Sequence, residues 1–477
     1  MATTNQTVSP ARAASFDILV RVEREQAYAN ELLHSKLLDK LSVQDRGLTM
    51  EIVMGVLRWR SRLDAAIAQY SFTPFPRLDF EVLTALRIGA YQLEFLRGIP
   101  NRAAVNESVM LVKRAKKKSA AALVNVVLRK IATSVASRRQ AITEFEPSKA
   151  NEPMRSTGPL VNRALAGEDA PHFLARQYAH PEWLVKRWIA NYGISAAAQI
   201  CAFNQQVPVT AVRMREERAT DGGQSADGVD LASGKLMRSA RVVTAGDITH
   251  TAVCRDGQVV VQDEGSQLVA ALVRPPADVS SPRILDCCAA PGGKTSAIAD
   301  RNPGATIIAV DLHAHRARLM RQLVRQPNVL IVTADATALP FAGDFDIVLA
   351  DVPCTGTGTL ARNPEIKWRL RVEDIADLHQ RQAAILNAAM DRVAPRGRLI
   401  YSTCSLEPEE NEQVVDEVLG ARADFRLIDC ADELRRLAAE GELVWDDLAS
   451  LTRAEYLRTI AGVHPCDGFF AAILQRI

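Results

Sequence analysis

The chain changes its hydrophobic rhythm twice. In the first 130 residues apolar positions recur at three- and four-residue spacing, as on one face of a helix. "ARAASFDILVRVEREQAYANELLHSKL" and "DFEVLTALRIGAYQLEFL" read this way, as does "AAVNESVMLVKRAKKKSAAALVNVVLRKI". "SVQDRGLTMEIVMGVLRWRSRLDAAIAQY" predicts one long helix capped by Ser42. Strand-like alternation is absent, so a bundle of five to seven helices ending near Ile131 is expected. A polar stretch containing "EPSKANEPMRSTGP" reads as a linker. "PHFLARQYAHPEWLVKRWIANYG" resumes helix, with a new segment at Pro181. "VPVTAVRMRE" predicts a strand and "TDGGQSADGVDLASG" a loop. From Pro282 short apolar runs alternate with helical segments. "PRILDCC", "ATIIAVDL", "NVLIVTAD", "DFDIVLADVPC" and "GRLIYSTCS" predict five strands of a doubly wound parallel sheet. "HPCDGFFAAILQRI" adds one more, of antiparallel sense.

These rhythms divide the chain into a helical domain (1–135), a linker (136–170), a small α+β domain (171–260) and an α/β Rossmann-like domain (261–477). Charge sharpens the division. Residues 1–150 carry 23 Lys and Arg against 14 Asp and Glu, a net of +9, which leaves −7 for the rest of a chain of net +2. A basic front on a near-neutral protein points to a polyanion, most often nucleic acid. No run approaches the about eighteen apolar residues of a membrane span, and the N-terminus lacks the core of a secretory signal. Eight cysteines without a CxxC pair suit reduced thiols in a cytosol.

The loop "LDCCAAPGGKT" raises the question of a ligand. A Walker loop would need glycine at position 288, where Cys288 stands, and GxGxxG is absent. Adjacent Gly292 and Gly293 allow a ligand to approach the first strand-helix turn closely. Asp311, at the end of the second strand, suits ribose hydroxyls; Asp335, at the end of the third, suits an adenine amino group. An adenosine ligand without phosphates fits this set, and S-adenosylmethionine is the common one. Two cysteines, Cys354 and Cys404, end neighbouring strands at the same edge. A thiolate beside a methyl donor has a known use. Adding to carbon 6 of a pyrimidine, it makes carbon 5 nucleophilic enough to take a methyl group. Asp351 is the candidate to stabilise the adduct near ring nitrogen 3. One cysteine would attack and the other would help release the product. Cys201, Cys254, Cys287, Cys430 and Cys466 are read as inert.

"DCCAAPGGKT", "DVPCTGTG", "RNPEIKW" and "YSTCSLEPEENE" together resemble the Sun/Fmu family of RNA 5-methylcytosine methyltransferases, over roughly residues 171–477. The resemblance implies attack by Cys404 and assisted release by Cys354. It implies a cofactor segment of Cys288, Ala289, Ala290, Pro291, Gly292, Gly293 and Lys294, completed by Asp311, Asp335 and Asp351. Val352 departs from the family's usual alanine, adding volume and no chemistry. "VQDRGLTMEIVMGVLRW" and "AAVNESVMLVKR" resemble the NusB-like RNA-binding domain. The combination implies a cytoplasmic, monomeric enzyme that methylates cytosine in small-subunit (16S) rRNA and needs neither metal nor membrane. His313 and His315, two apart on a helix, share no face and suggest no metal. Trp183 and Trp188 are read as core. Arg362, Lys367, Arg369 and Arg371 are expected to grip the RNA backbone. The rival readings are a non-catalytic RNA-binding scaffold and a cytosine methyltransferase of another RNA or of DNA; the DNA enzyme would attack with Cys354.

Overall fold

The computed structural model describes residues 8–145, 169–215, 224–226, 228–276 and 278–477. The chain forms two compact units: 1–205 with 361–368, and 206–360 with 369–477. The division falls between Gln205 and Gln206, within the stretch 171–260.

The first unit is helical. Its opening bundle comprises Pro10–Arg24, Ala29–Leu33, Val43–Arg58, Arg60–Tyr70, Phe80–Phe95, Asn101–Arg114 and Ala121–Phe145. Ser42 caps the third of these, its hydroxyl accepting from the Asp45 N–H. The single helix expected from Ser42 to Tyr70 is two, broken at Trp59 (φ −101°, ψ 14°). Ile52, Leu63, Ile67, Leu86, Leu111 and Leu128 are fully buried in one core. Gly55 is required there, because a Cβ on it would stand 1.9 Å from the Tyr91 ring. Helix Lys118–Gln140 is long and apolar enough to cross a membrane, although polar residues interrupt its apolar runs throughout. Its apolar positions Val124, Val127, Leu128 and Ile131 belong to the bundle core. That helix continues to Phe145, and the "EPSKANEPMRSTGP" segment lies outside the described residues. Ala170–Gln177 and Glu182–Phe203 follow, the latter bent at Gly193 (φ 80°). Trp188 is core and Trp183 half-buried.

The second unit opens with an antiparallel sheet of β1 (Ala211–Met214), β2 (Gln224–Ala226), β3 (Val229–Ser233), β4 (Ala240–Ala245) and β5 (Val259–Val261), in the order β2-β3-β4-β1-β5. β2 and β3 overturn the loop expected there. The segment is polar, but Val229 and Leu231 alternate inward and "DG" precedes them, a hairpin signature.

The larger sheet contains β6 (Arg283–Asp286), β7 (Thr306–Asp311), β8 (Val329–Thr333), β9 (Phe345–Asp351), β10 (Val393–Thr403), β11 (Phe425–Ile428), β12 (Thr452–Arg453), β13 (Tyr456–Thr459) and β14 (Phe469–Arg476). Its order is β12-β13-β14-β10-β9-β6-β7-β8, with β11 pairing β14. β6 to β10 run parallel, and β14 is antiparallel, as expected. Ile284, Ile347, Ile400 and Ile473 pack on one face; their neighbours Leu285, Val348, Leu399 and Leu474 pack on the other. A sheet covered on both faces needs continuous apolar runs, which is what these strands show. The order reverses between β6 and β9, and ligands of such sheets bind beyond the carboxyl ends at that point.

Candidate active site

The loop after β6 runs from Cys287 to Gly292 and enters helix Gly293–Arg301. The Cys287 N–H donates to the Leu349 carbonyl at 2.9 Å and the Ala289 N–H to the Val310 carbonyl at 2.8 Å. These bonds pin the loop between β9 and β7. Gly292 has φ 106°, and a Cβ there would meet Val324 at 2.5 Å. A Cβ added to Gly293 would meet the Gln262 amide at 4.0 Å, an ordinary contact. Cys288, Ala290 and Gly293 are half-buried, Pro291 is exposed, and Ala289 is buried.

Lys294 made the loop look like a phosphate cradle, but its ammonium is committed elsewhere. It bonds an Asp351 carboxylate oxygen at 2.8 Å and lies over the Phe469 ring at 5.0 Å. The other Asp351 oxygen accepts from the Ser402 hydroxyl at 2.7 Å. Asp351 and Ser402 are paired residues of β9 and β10. Asp311 is buried at the end of β7, with one oxygen accepting from the His313 N–H at 2.8 Å. Asp335, exposed just past β8, accepts from the Thr337 N–H at 2.9 Å and hydroxyl at 2.8 Å. These bonds to the charged form hold its carboxyl below the usual range.

Cys354 follows β9 by three residues and Cys404 follows β10 by one. Their sulfurs lie 3.3 Å apart. Cys354 and Cys404 are half-buried residues, whereas Thr355 and Ser405, which follow them, are buried. The hydrogen bond with Cys404 pushes the Cys354 thiol well above its ordinary pKa, and burial and the charges of Cys404 and Glu410 add to this.

Three residues of the site escaped the sequence reading. Asp286 ends β6 with its carboxyl buried and bonded to the Thr295 hydroxyl at 2.7 Å; burial pushes its pKa up to about 7. Its place at the end of an apolar strand run was the available signal. Ser402 orients Asp351, and Glu410 lies buried in "EPEENE". One expectation is corrected. Lys367 does not reach outward to a phosphate: it is 1% exposed in the first unit, donating to the Arg58 carbonyl at 2.9 Å. Arg362 and Arg369 are half-buried, and Arg371 is exposed. His313 and His315 stand side by side, ring centres 5.5 Å apart. Among the described residues no group of three His, Cys, Asp or Glu is placed to hold a metal.

Comparison with known proteins bears on this arrangement. Residues 274–475 match the model of the 16S rRNA methyltransferase RsmB/F family. The probable ribosomal RNA small subunit methyltransferase B of Bacillus subtilis is 33% identical over 427 residues, covering 87% of this chain and 89% of that protein. The chain belongs to the RsmB/F family of 16S rRNA methyltransferases. A Pseudomonas putida member, ribosomal RNA small subunit methyltransferase B, is 33% identical over 433 residues, 88% of this chain and 92% of that one. The multidomain plan goes with this membership. Residues 9–133 match the NusB family and 180–222 the ferredoxin-like domain of RsmF/B-like methyltransferases. The crystal structure of PH0851 shares the fold, with a TM-score of 0.74 at 20% identity, over 99% of this chain and all of that one.

Proposed function

We propose that this chain transfers a methyl group from S-adenosylmethionine to carbon 5 of a cytosine in 16S rRNA, through a covalent adduct with Cys404. The observation that carries the reading is the pair of thiols 3.3 Å apart, at neighbouring strand ends beside the Lys294–Asp351 ion pair. The residues fit the cofactor. Gly293 leaves room for its body, Asp311 offers a carboxylate to its ribose, and Asp335 lies at the next strand end for its base. Lys294, bound to Asp351, is not free to serve a phosphate. Cys288, Ala289, Ala290, Pro291 and Gly292 form the wall of this pocket. When bound, the cofactor supplies an electrophilic methyl group.

The chain's own groups do the rest. Cys404 adds to carbon 6 of the flipped cytosine. The Lys294 ammonium attracts a thiolate at that position; ring nitrogen 3 takes a proton from solvent as the adduct forms, shares it with Asp351, and returns it to solvent when Cys404 leaves. Two thiolates 3.3 Å apart would repel, so the pair keeps one proton, held on Cys354 while Cys404 attacks. Consumption of Cys404 in the adduct removes that restraint. Cys354 can then lose its proton to solvent and accept the one from carbon 5, and the electron pair left behind expels Cys404. The basic helical front, 1–135, holds the RNA, and 261–477 carries the catalysis.

Bisulfite mapping of 16S rRNA from a strain lacking this chain tests the reading. One cytosine should lose its methyl mark and regain it with the wild-type chain, but not with Cys404→Ala. An unchanged methylation map would refute it.

A further inference from the structure

Glu410 has entered so far only through its charge beside Cys354, yet it is fully buried and its carboxylate takes four hydrogen bonds. One oxygen accepts from the Thr355 N–H at 2.8 Å and the Gln382 amide at 2.9 Å. The other accepts from the hydroxyls of Thr355 and Ser405. Two N–H and two O–H donors fill the four acceptor sites of an ionised carboxylate. Thr355 follows Cys354, and Ser405 follows Cys404. A single buried charge therefore grips the residue next to each thiol. The glutamate is itself held, its carbonyl accepting from the buried Tyr401 hydroxyl at 2.6 Å.

Other bonds brace the same two loops. The Leu406 N–H donates to the Thr357 hydroxyl at 2.8 Å, and the Gly358 N–H to the Cys404 carbonyl at 2.9 Å. The Asn411 amide donates to the Ser405 carbonyl at 2.9 Å. These leave the loops folded without Glu410. The Thr355 and Ser405 hydroxyls also lie 3.0 Å from each other; what the glutamate adds is one carboxylate that receives both of them and anchors the pair to Gln382.

We propose that Glu410 is a positioning residue that sets the separation of Cys354 and Cys404, and through it the handover from attack to release. The proposal rests on the two-thiol reading above. Its test therefore needs one readout that requires no RNA. Diamide oxidises two neighbouring thiols to a disulfide and is itself reduced to the hydrazine. The rate of Cys354–Cys404 disulfide formation in the full chain, followed by peptide mass spectrometry, reports their separation. The second readout is single-turnover methylation, with adduct release followed on denaturing gels.

Glu410→Ala should slow the disulfide about tenfold or more, the scale expected when a loop drifts by about 1 Å. It should slow adduct release more than methyl transfer and leave S-adenosylmethionine affinity unchanged. Glu410→Gln keeps the shape, and the two hydroxyls can turn to accept from its amide, so it should restore most of both rates. Should Glu410→Ala not fold, Ser405→Ala removes a single donor and should give a smaller slowing in the same two rates. Wild-type rates of disulfide formation and release in these variants would overturn the proposal. Slowed disulfide formation, with no RNA adduct from any variant, would strike the two-thiol reading alone and leave the hold of Glu410 on the loops standing.

Discussion

Each unit encloses a lysine, and the two have opposite fates. Lys294, in the second unit, bonds the Asp351 carboxylate at 2.8 Å. Lys367, in the first, bonds the Arg58 carbonyl at 2.9 Å and faces the Trp368 ring at 5.0 Å. Burial disfavours the charge on both. At Lys294 it is outweighed by Asp351, with Cys404 and Asp286 adding, and the pKa rises. At Lys367 burial wins, the opposing effect of Cys201 is too small, and the pKa falls well below the ordinary 10.5. Burial alone therefore does not decide what a lysine is for; its partner does. In the proposed mechanism the charged lysine paired beside two thiols serves chemistry, whereas a lysine on a carbonyl is packing.

The largest effect that could break this contrast is at Lys294. Lys294→Met should lower the rate of methyl transfer about 100-fold or more, since the positive charge that holds Asp351 and favours a thiolate at Cys404 is removed. Transfer of labelled methyl to 16S rRNA measures it, and undiminished activity would put Lys294 in the same class as Lys367. Asp311→Ala should come next, weakening S-adenosylmethionine binding by about 1–3 kcal/mol in a calorimetric titration. Unchanged affinity would move the pocket away from β7.

On the first unit the expected effects are smaller. Lys113, Lys116 and Lys118 are exposed on its surface. Replacing all three with glutamine should flatten the salt dependence of RNA binding, by about one unit of log–log slope for each phosphate no longer neutralised. An identical slope would exclude that face from RNA binding. Lys367→Met should be the mildest change, within about 1 kcal/mol of wild-type stability or above it, because an apolar chain suits that site. The sign of its pH dependence follows from the lowered pKa. The unfolded chain binds this proton more readily than the folded one, so the wild type gains stability as pH rises toward 10.5. The methionine variant lacks that gain, and its advantage should shrink between about pH 7 and about pH 9.5 in urea unfolding. A loss of several kcal/mol at neutral pH would mean that Lys367 is charged after all.

The same contrast explains what the sequence made legible. Strands β6 to β10 stood out because sheets covered on both faces need unbroken apolar runs. The thiols stood out because "DVPC" and "STCS" end two such runs. Trp59 breaks a helix although nothing in "VLRWRSRL" is a poor helix former; tertiary packing of the bundle decides it. The short β12 and β13 carry too few residues for a period to show. Lys367 was misread and Glu410 passed over for one reason. Each sits among charged neighbours, which in a sequence looks like a solvated face, and only the fold reveals that one is enclosed by the helical unit and the other by the two thiol loops.

Central to the proposed mechanism is that the two thiols act in sequence. Wild-type chain and the variants Cys354→Ala and Cys404→Ala, each incubated with S-adenosylmethionine and 16S rRNA, can be compared on a denaturing gel. The expected result is a slow, RNase-sensitive band for Cys354→Ala, in which protein remains joined to methylated RNA through Cys404, and no such band for Cys404→Ala. Trapping by Cys404→Ala with none by Cys354→Ala would reverse the two roles. Absence of the band from both variants, with methylation intact, would contradict covalent catalysis by these thiols.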